Sequence, residues 1–419
     1  MSQSTQESPA LDFFMKAPAP INFGLMAQFS TSPDEDELKT ALLRLANIYP
    51  TYGAKQTDSS DSAFPLTILD APDLTWKHVV VEQLGLPFDL ETESPIRLVL
   101  LRTDQGVANL IITFHHGVAD GMAGVFFLQD LLTLLADVNA EIEPLAPDPN
   151  IMTIVPESVK NSFKLKISCM GMKIMMRLMW IMGKLGKKWP APDRLIDGKA
   201  PWAHMQLTSR DLSIDQTLSL VSRCKAEETS VHAAISTAWL RARHELIPER
   251  NWKRTVSSPV NLRGFTGSGK AFGLVMSNFV NTVDCSPSRN FWDIARDLKQ
   301  QMAADIASGE MYNWLAQTLQ MVTLPPNLTA FVMNVFFTQP PGYDFSLTNL
   351  GRLNLSHAEN VNAVYGPLVN GGEQEFTVGV STHNNHLTMS FAYRDFVLSK
   401  ENAEKMADLA VELLGEAVV

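Results

Sequence analysis

The sequence contains no uninterrupted apolar run of about 18 residues, so no ordinary membrane-spanning helix is expected. Its first residues, MSQSTQESPALDFF, have no basic segment followed by an apolar one, and a secretory signal is not expected either. Cysteine is scarce. Cys169, Cys224 and Cys285 are odd in number and far apart, which excludes a disulfide framework and fits reduced thiols in a cytoplasmic setting. On that reading the glycosylation sequon at Asn327 is accidental. Basic residues do not outnumber acidic ones: the net charge is −11, which argues against nucleic acid as a partner. No Gly-x-Ser-x-Gly elbow is present, and no serine or cysteine has a recognisable nucleophile setting. His232, His244, His357 and His383 show no metal-ligand spacing.

What is present is a large soluble core. A 419-residue chain that is 45% hydrophobic and 19% charged has room for two domains or one two-lobed enzyme. Ile21–Phe29 reads as a strand and Asp34–Ile48 as a helix with Leu38, Ala41, Leu42 and Leu45 inward. Ala63–Leu69 and Lys77–Val81 read as short strands. Pro95–Arg102 and Val107–Phe114 read as a hairpin. From Trp202 onward the pattern gives helices at Asp215–Glu227, after Ser230, at Phe291–Ile306 and at Ser399–Leu414. Strands are expected at Arg254–Val260, Leu274–Val283 and Phe345–Gly351, with a hairpin of Thr377–Val380 and Leu387–Tyr393. No internal repeat is visible. The order implies an α+β fold with mainly antiparallel pairing.

Lys160–Lys188 stands apart. It carries eight Lys or Arg and no acidic residue, and methionines crowd its middle. Wound as a helix, Lys166, Lys173, Arg177, Lys184 and Lys188 gather on roughly a quarter to a third of the circumference. The segment reads as a basic Met-rich connector over 161–200, between a first lobe (1–160) and a second (201–419). Alternatively it offers a weak membrane-surface contact, or a flexible wall beside an apolar substrate. Gly171, Gly183 and Gly186 argue against one rigid helix.

The chain is organised around Val107–Val138. An apolar strand (Leu110, Ile111, Ile112, Phe114) leads to a turn holding His115, His116, Asp120, Gly121 and Gly124, and a helix follows. A polar cluster between two buried elements costs stability unless it is hydrogen-bonded, which marks it as a candidate site. Adjacent histidines at a strand end are also what a satisfied core pair looks like. His116 and Asp120 could form two ligands of a metal, but no third ligand is apparent.

The pattern His115, His116, Gly117, Val118, Ala119, Asp120, Gly121 resembles the HHxxxDG signature of the condensation-domain and chloramphenicol-acetyltransferase-like acyltransferase superfamily. Pro259–Arg263, Gly273–Asn278 and Ser346–Gly351 extend the resemblance, as does the strand with Tyr393 before the last helix. The branch it resembles most is that of phthiocerol dimycocerosyl transferase-like, polyketide-associated acyltransferases. The opening lacks the proline-leucine-tryptophan start of bacterial wax-ester synthases, and the Asp-Phe-Gly-Trp-Gly box of plant acyltransferases is missing.

The resemblance implies an α/β sandwich of two chloramphenicol-acetyltransferase-like lobes, a pseudo-dimer with a tunnel between them. It implies acyl transfer from a thioester, either acyl-CoA or a phosphopantetheinyl carrier protein, to a hydrophobic, polyketide-type alcohol acceptor, with no permanently bound cofactor or metal. A carrier protein or polyketide synthase would then be the donor-side partner. His116 would be the general base, since neutral histidine suits proton abstraction near pH 7. His115 would hold the turn. Asp120 would turn away from His116 to pair with Arg263, and Gly121 would let the backbone approach closely at the helix start. Asn349 and Ser346 would position substrate or stabilise the oxyanion. An amide-forming condensation enzyme acting between carrier proteins and a catalytically idle docking protein are the rival expectations.

Overall fold

A computed structural model describes residues 17, 19–49, 52, 64–103, 106–142, 145, 154–185, 194–249, 251–322 and 324–419. The opening MSQSTQESPALDFF, and Gly186 and Lys188 of the basic stretch, fall outside these residues.

The first half supplies β1 (Asn22–Phe29), α1 (Glu35–Ile48), β2 (Leu66–Asp70), α2 (Trp76–Gly85), β3 (Ile96–Arg102), β4 (Ala108–His115) and α3 (Gly121–Ala136). A short α4 (Glu157–Lys160) and a long α5 (Phe163–Lys184) follow. The second half contains β5 (Met205–Leu212), α6 (Ile214–Ala226), α7 (Val231–Leu246), β6 (Lys253–Asn261), α8 (Arg263–Thr266) and β7 (Met276–Asp284). It continues with α9 (Phe291–Ser308), α10 (Glu310–Val322) and α11 (Pro326–Thr338). The chain ends with β8 (Phe345–Leu353), β9 (Val361–Val369), β10 (Thr377–His383), β11 (His386–Arg394) and α12 (Lys400–Val418).

Two sheets result, in the orders β2-β3-β4-β1-β9 and β5-β11-β10-β8-β6-β7. β1 lies antiparallel to both β4 and β9, so Asn22–Phe29 is flanked on both edges and buried almost throughout. α1 and α3 cover one face of the first sheet, where Phe23, Leu25, Leu42, Phe114, Phe127 and Leu131 share a core. α7, α9 and α12 belong to the separate core of the second sheet, with Trp239, Phe345, Val378 and Phe391. Burial of such aromatic and aliphatic side chains, each worth about 1.5–3 kcal/mol, is the main force holding each lobe.

The other face of the second sheet meets the first lobe. Val378 and Val380 point into the second core, so strand alternation sends Thr377, Gly379 and Ser381 the opposite way. There Ser381 and Thr388 donate their hydroxyl hydrogens to the Val364 carbonyl on β9, at 2.6 and 2.7 Å. A Cβ on Gly379 would lie 2.0 Å from the Pro367 oxygen, so only glycine fits this crossing.

Several expectations change. Lys77–Val81 is not a strand but the middle of α2, because Val79, Val80 and Leu84 recur at helical spacing, which a five-residue window hides. Helix α5 runs unbroken through Gly171 and Gly183, held by packing on α10 and α11. The second lobe is not continuous from 201 to 419: Val361–Val369 leaves it and completes the first sheet. That strand is buried on both faces, so it has no polar alternation to announce it.

Candidate active site

β4 ends at His115, whose backbone N–H donates to the Pro95 carbonyl at 2.9 Å. The next residue steps out of the sheet: the His116 N–H donates to the Ile21 carbonyl at 2.8 Å. The turn then closes on itself, and Asp120 caps α3 by accepting the Ala123 N–H on Oδ1 at 2.9 Å. The buried strand and the N-cap thus fix both ends of a six-residue turn, leaving its side chains little freedom.

The two histidines have different duties. His115 is buried; its Nδ1 accepts the Gly117 N–H at 3.1 Å, which puts its own proton on Nε2. Burial, with a smaller contribution from His116, lowers its pKa from 6.5 to about 4. It is a neutral brace of the turn. His116 is half-buried, with its ring tilted against Phe23 at a centroid distance of 5.0 Å. Its Nδ1 lies 3.0 Å from the Ala119 carbonyl oxygen, which can only accept. The proton therefore sits on Nδ1, and Nε2 carries the lone pair. Desolvation lowers the pKa of His116, only partly opposed by the Ala119 carbonyl and the charge of Asp120, so the ring is neutral at pH 7. A neutral imidazole in a fixed tautomer is what general-base chemistry requires.

Asp120 does not face His116 as the second member of a dyad. Its Oδ2 accepts from Arg263 Nη1 at 2.8 Å and from the Val275 N–H at 2.9 Å. Both partners of this ion pair are buried, at 3% and 4% exposure. The rest of the guanidinium is satisfied as well. Nε donates to Ala271 O, Nη2 to Ala271 O and Gly273 O, and Nη1 also to Asn261 Oδ1. A buried ion pair is tolerable only under such conditions. Asn261 additionally accepts the Arg263 N–H at 3.0 Å, and so sets the bend that turns Arg263 inward. The connection from Leu262 to Val275 belongs to the second lobe, yet its Phe272 lies in the first core against Tyr49, Tyr52 and Phe114. The histidine turn is therefore anchored from across the lobes.

Gly121 is where two strands of the second half approach the turn. A Cβ there would lie 2.9 Å from Leu350 Cδ2 and 3.0 Å from Pro367 Cγ. The leucine can move and the proline ring cannot. Gly121→Ala is expected to cost about 1–3 kcal/mol through overpacking, read as a lowered midpoint in urea denaturation. An unchanged midpoint would mean that the approach is looser than it looks.

Ser346 and Asn349 do not share a face of β8. Phe345 and Leu347 point into the second core, while Leu350 packs with the first lobe beside Gly121. Alternation puts Ser346 and Thr348 on the inter-lobe face with Leu350. Asn349 has the opposite parity, and its Oδ1 accepts the Gly351 N–H at 2.7 Å to shape a turn at positive φ. Among the described residues no group of three or more His, Cys, Asp or Glu could hold a metal ion. The motif reading missed Asn261, the Ile21 carbonyl and the Ala271 and Gly273 carbonyls. Of these residues, Asn261 and Gly273 lie in stretches that carry the resemblance.

Residues 202–355 match the family model described as the C-terminus of phthiocerol/phthiodiolone dimycocerosyl transferase. No curated protein matches the chain. Polyketide synthase associated protein 5 from Mycobacterium tuberculosis is similar with a TM-score of 0.62 at 17% identity, covering 97% of each chain. The first condensation domain of the CDA synthetase gives 0.68 at 14% identity, covering 98% of this chain and 96% of the other. The trichothecene 15-O-acetyltransferase TRI3 from Fusarium sporotrichioides gives 0.66 at 11%, covering 98% and 94%. The fold is thus the two-lobed condensation-domain and chloramphenicol-acetyltransferase-like one.

Proposed function

We propose that this chain is an acyltransferase that moves an acyl group from a thioester to the hydroxyl of a hydrophobic acceptor, with His116 as general base. The observation that carries the reading is the fixed tautomer of His116: the Nδ1 proton is held by the Ala119 carbonyl, and the pKa is depressed by burial. Two similar proteins support it, one a polyketide synthase associated protein and the other an acetyltransferase, as does the transferase family matched by residues 202–355.

In this mechanism Nε2 of His116 takes the acceptor's hydroxyl proton as its oxygen attacks the thioester carbonyl carbon. The tetrahedral oxyanion collapses, the C–S bond breaks, and the imidazolium returns its proton to the departing thiolate. Nothing else need change oxidation state or charge. Ser346 or Thr348, on the inter-lobe face, would donate to the oxyanion. Asn349, whose side chain shapes its own turn, is a weaker candidate for that role. The thiol leaving group belongs to CoA or to a carrier protein's phosphopantetheine, and the acceptor is a polyketide-type alcohol.

Incubation with a medium-chain acyl-CoA and a panel of long-chain alcohols, followed by mass spectrometry, should yield ester. Amide formed from matched amines in preference to ester would favour the condensation-enzyme alternative. Product from neither would leave the docking-protein alternative. The pH dependence provides a further check. A base must be unprotonated, so activity is lost as the pH falls through the depressed pKa of His116. The midpoint of that loss should therefore lie below pH 6.5, the ordinary histidine value. A midpoint at or above that value would contradict the assignment.

A further inference from the structure

Helix α5 presents two unlike faces. Its inner side is packed: Leu165 and Cys169 join Met311, Leu315 and Ala316 of α10, and Met176 joins Leu328 and Val332 of α11. Its outer side is apolar and open to solvent. Phe163, Ile167, Met170, Ile174, Leu178 and Ile181 recur at steps of three and four, forming one stripe, and are 45–79% exposed. Lys166, Lys173 and Arg177 follow one another along one flank of that stripe, roughly 60–100° round the helix from its centre. No acidic residue occurs between Lys160 and Lys188, in a chain whose net charge is −11.

An exposed apolar stripe of this length is uncommon on a soluble protein and marks an interaction surface. The flanking charge selects the occupant. A second copy of the chain would bring one basic row against another. A protein groove that engulfs the helix would have to displace α10 and α11 from its inner side. An anionic bilayer requires only the outer face: the stripe enters the acyl region and the basic side chains reach back to the headgroups. We propose that the outer face of α5 is a membrane-interfacial surface for anionic lipid.

The surface lies close to the site. α11, on which α5 packs, buries Met333 and Phe337 against Ile21, whose carbonyl holds the His116 backbone. Leu165 and Cys169 share a cluster with Leu262 and Val275, the two ends of the connection that grips Asp120. A bilayer bound to α5 would therefore be one helix layer away from the histidine turn.

Flotation of the intact protein with vesicles of phosphatidylcholine and phosphatidylglycerol tests this. Binding is expected at about 0.05 M salt, weaker at about 0.5 M, and weaker still on pure phosphatidylcholine. Lys166→Gln with Arg177→Gln should reduce the partition coefficient about tenfold or more. Ile174→Ser with Leu178→Ser should reduce it by a similar factor, with the melting temperature of both variants near that of the parent. Phe163→Ser, at the exposed first turn, provides a second apolar variant should that pair fold poorly. Failure to float on the anionic vesicles at low salt would overturn the proposal. So would binding that ignores the apolar variants, or retention by an acidic acyl carrier protein without any vesicle binding.

Discussion

His116→Ala is expected to lower turnover by about 10²–10⁴-fold while leaving the fold nearly unperturbed. The separation of the two effects follows from how the residue is held. Its backbone N–H remains bonded to Ile21 whatever the side chain, and the ring is only half-buried against Phe23. The side chain gives up its hydrogen bond to the Ala119 carbonyl. His115→Ala should behave in the opposite way. It removes the acceptor of the buried Gly117 N–H and so lowers stability by about 1–3 kcal/mol, with activity falling only as the turn loosens. Parallel melting curves and initial rates for the two variants separate the roles. A His116→Ala protein turning over at near the parent's rate, on a verified substrate, would remove the base from the account.

The second large effect concerns Asp120 and Arg263, which are 143 residues apart in sequence and 2.8 Å apart in space. Removing either leaves its partner charged and buried, a change that typically costs about 3–5 kcal/mol. Asp120→Ala should be the worse of the two, because it also uncaps α3 at Ala123 and strands the Val275 N–H. Asp120→Asn keeps a capping oxygen and should fall between the parent and the alanine variant. Since each single variant includes the penalty of the stranded partner, the double variant should be less damaged than the sum by about 1–3 kcal/mol. Chemical denaturation of the four proteins measures this. Strict additivity would mean that the contact carries no coupling and that the turn is held by its backbone alone.

Much of this site is legible in the sequence. The strand, the turn and the helix of Val107–Val138 follow from apolar spacing. The residues that would bear chemistry follow from a motif in which small residues separate His116 from Asp120. The contact between Asp120 and Arg263 could not come from spacing, because it joins residues of different lobes; it came from resemblance. Other features had no local signal. β9 is buried on both faces and carries no alternation, so nothing marks it as a strand or assigns it to the first sheet. α10 and α11, on either side of Leu324 and Pro325, do carry apolar helical spacing, although no element is assigned from the sequence between Ile306 and Phe345. Asn349 is a weaker substrate-facing candidate than the resemblance implies, because a motif fixes identity and not parity. One step along β8 moves a side chain from the inter-lobe face to the other.

The central claim, direct acyl transfer at His116, is tested by following the acyl group itself. Parent protein is mixed with a radiolabelled acyl thioester and an alcohol acceptor and quenched within a single turnover, and the label is then partitioned among thioester, protein and product. The account predicts that label passes from thioester to ester without any stoichiometric protein-bound acyl group, since in this mechanism His116 serves only to move a proton. Label accumulating covalently on the protein, or remaining on the thioester while the acceptor is saturating, would contradict it.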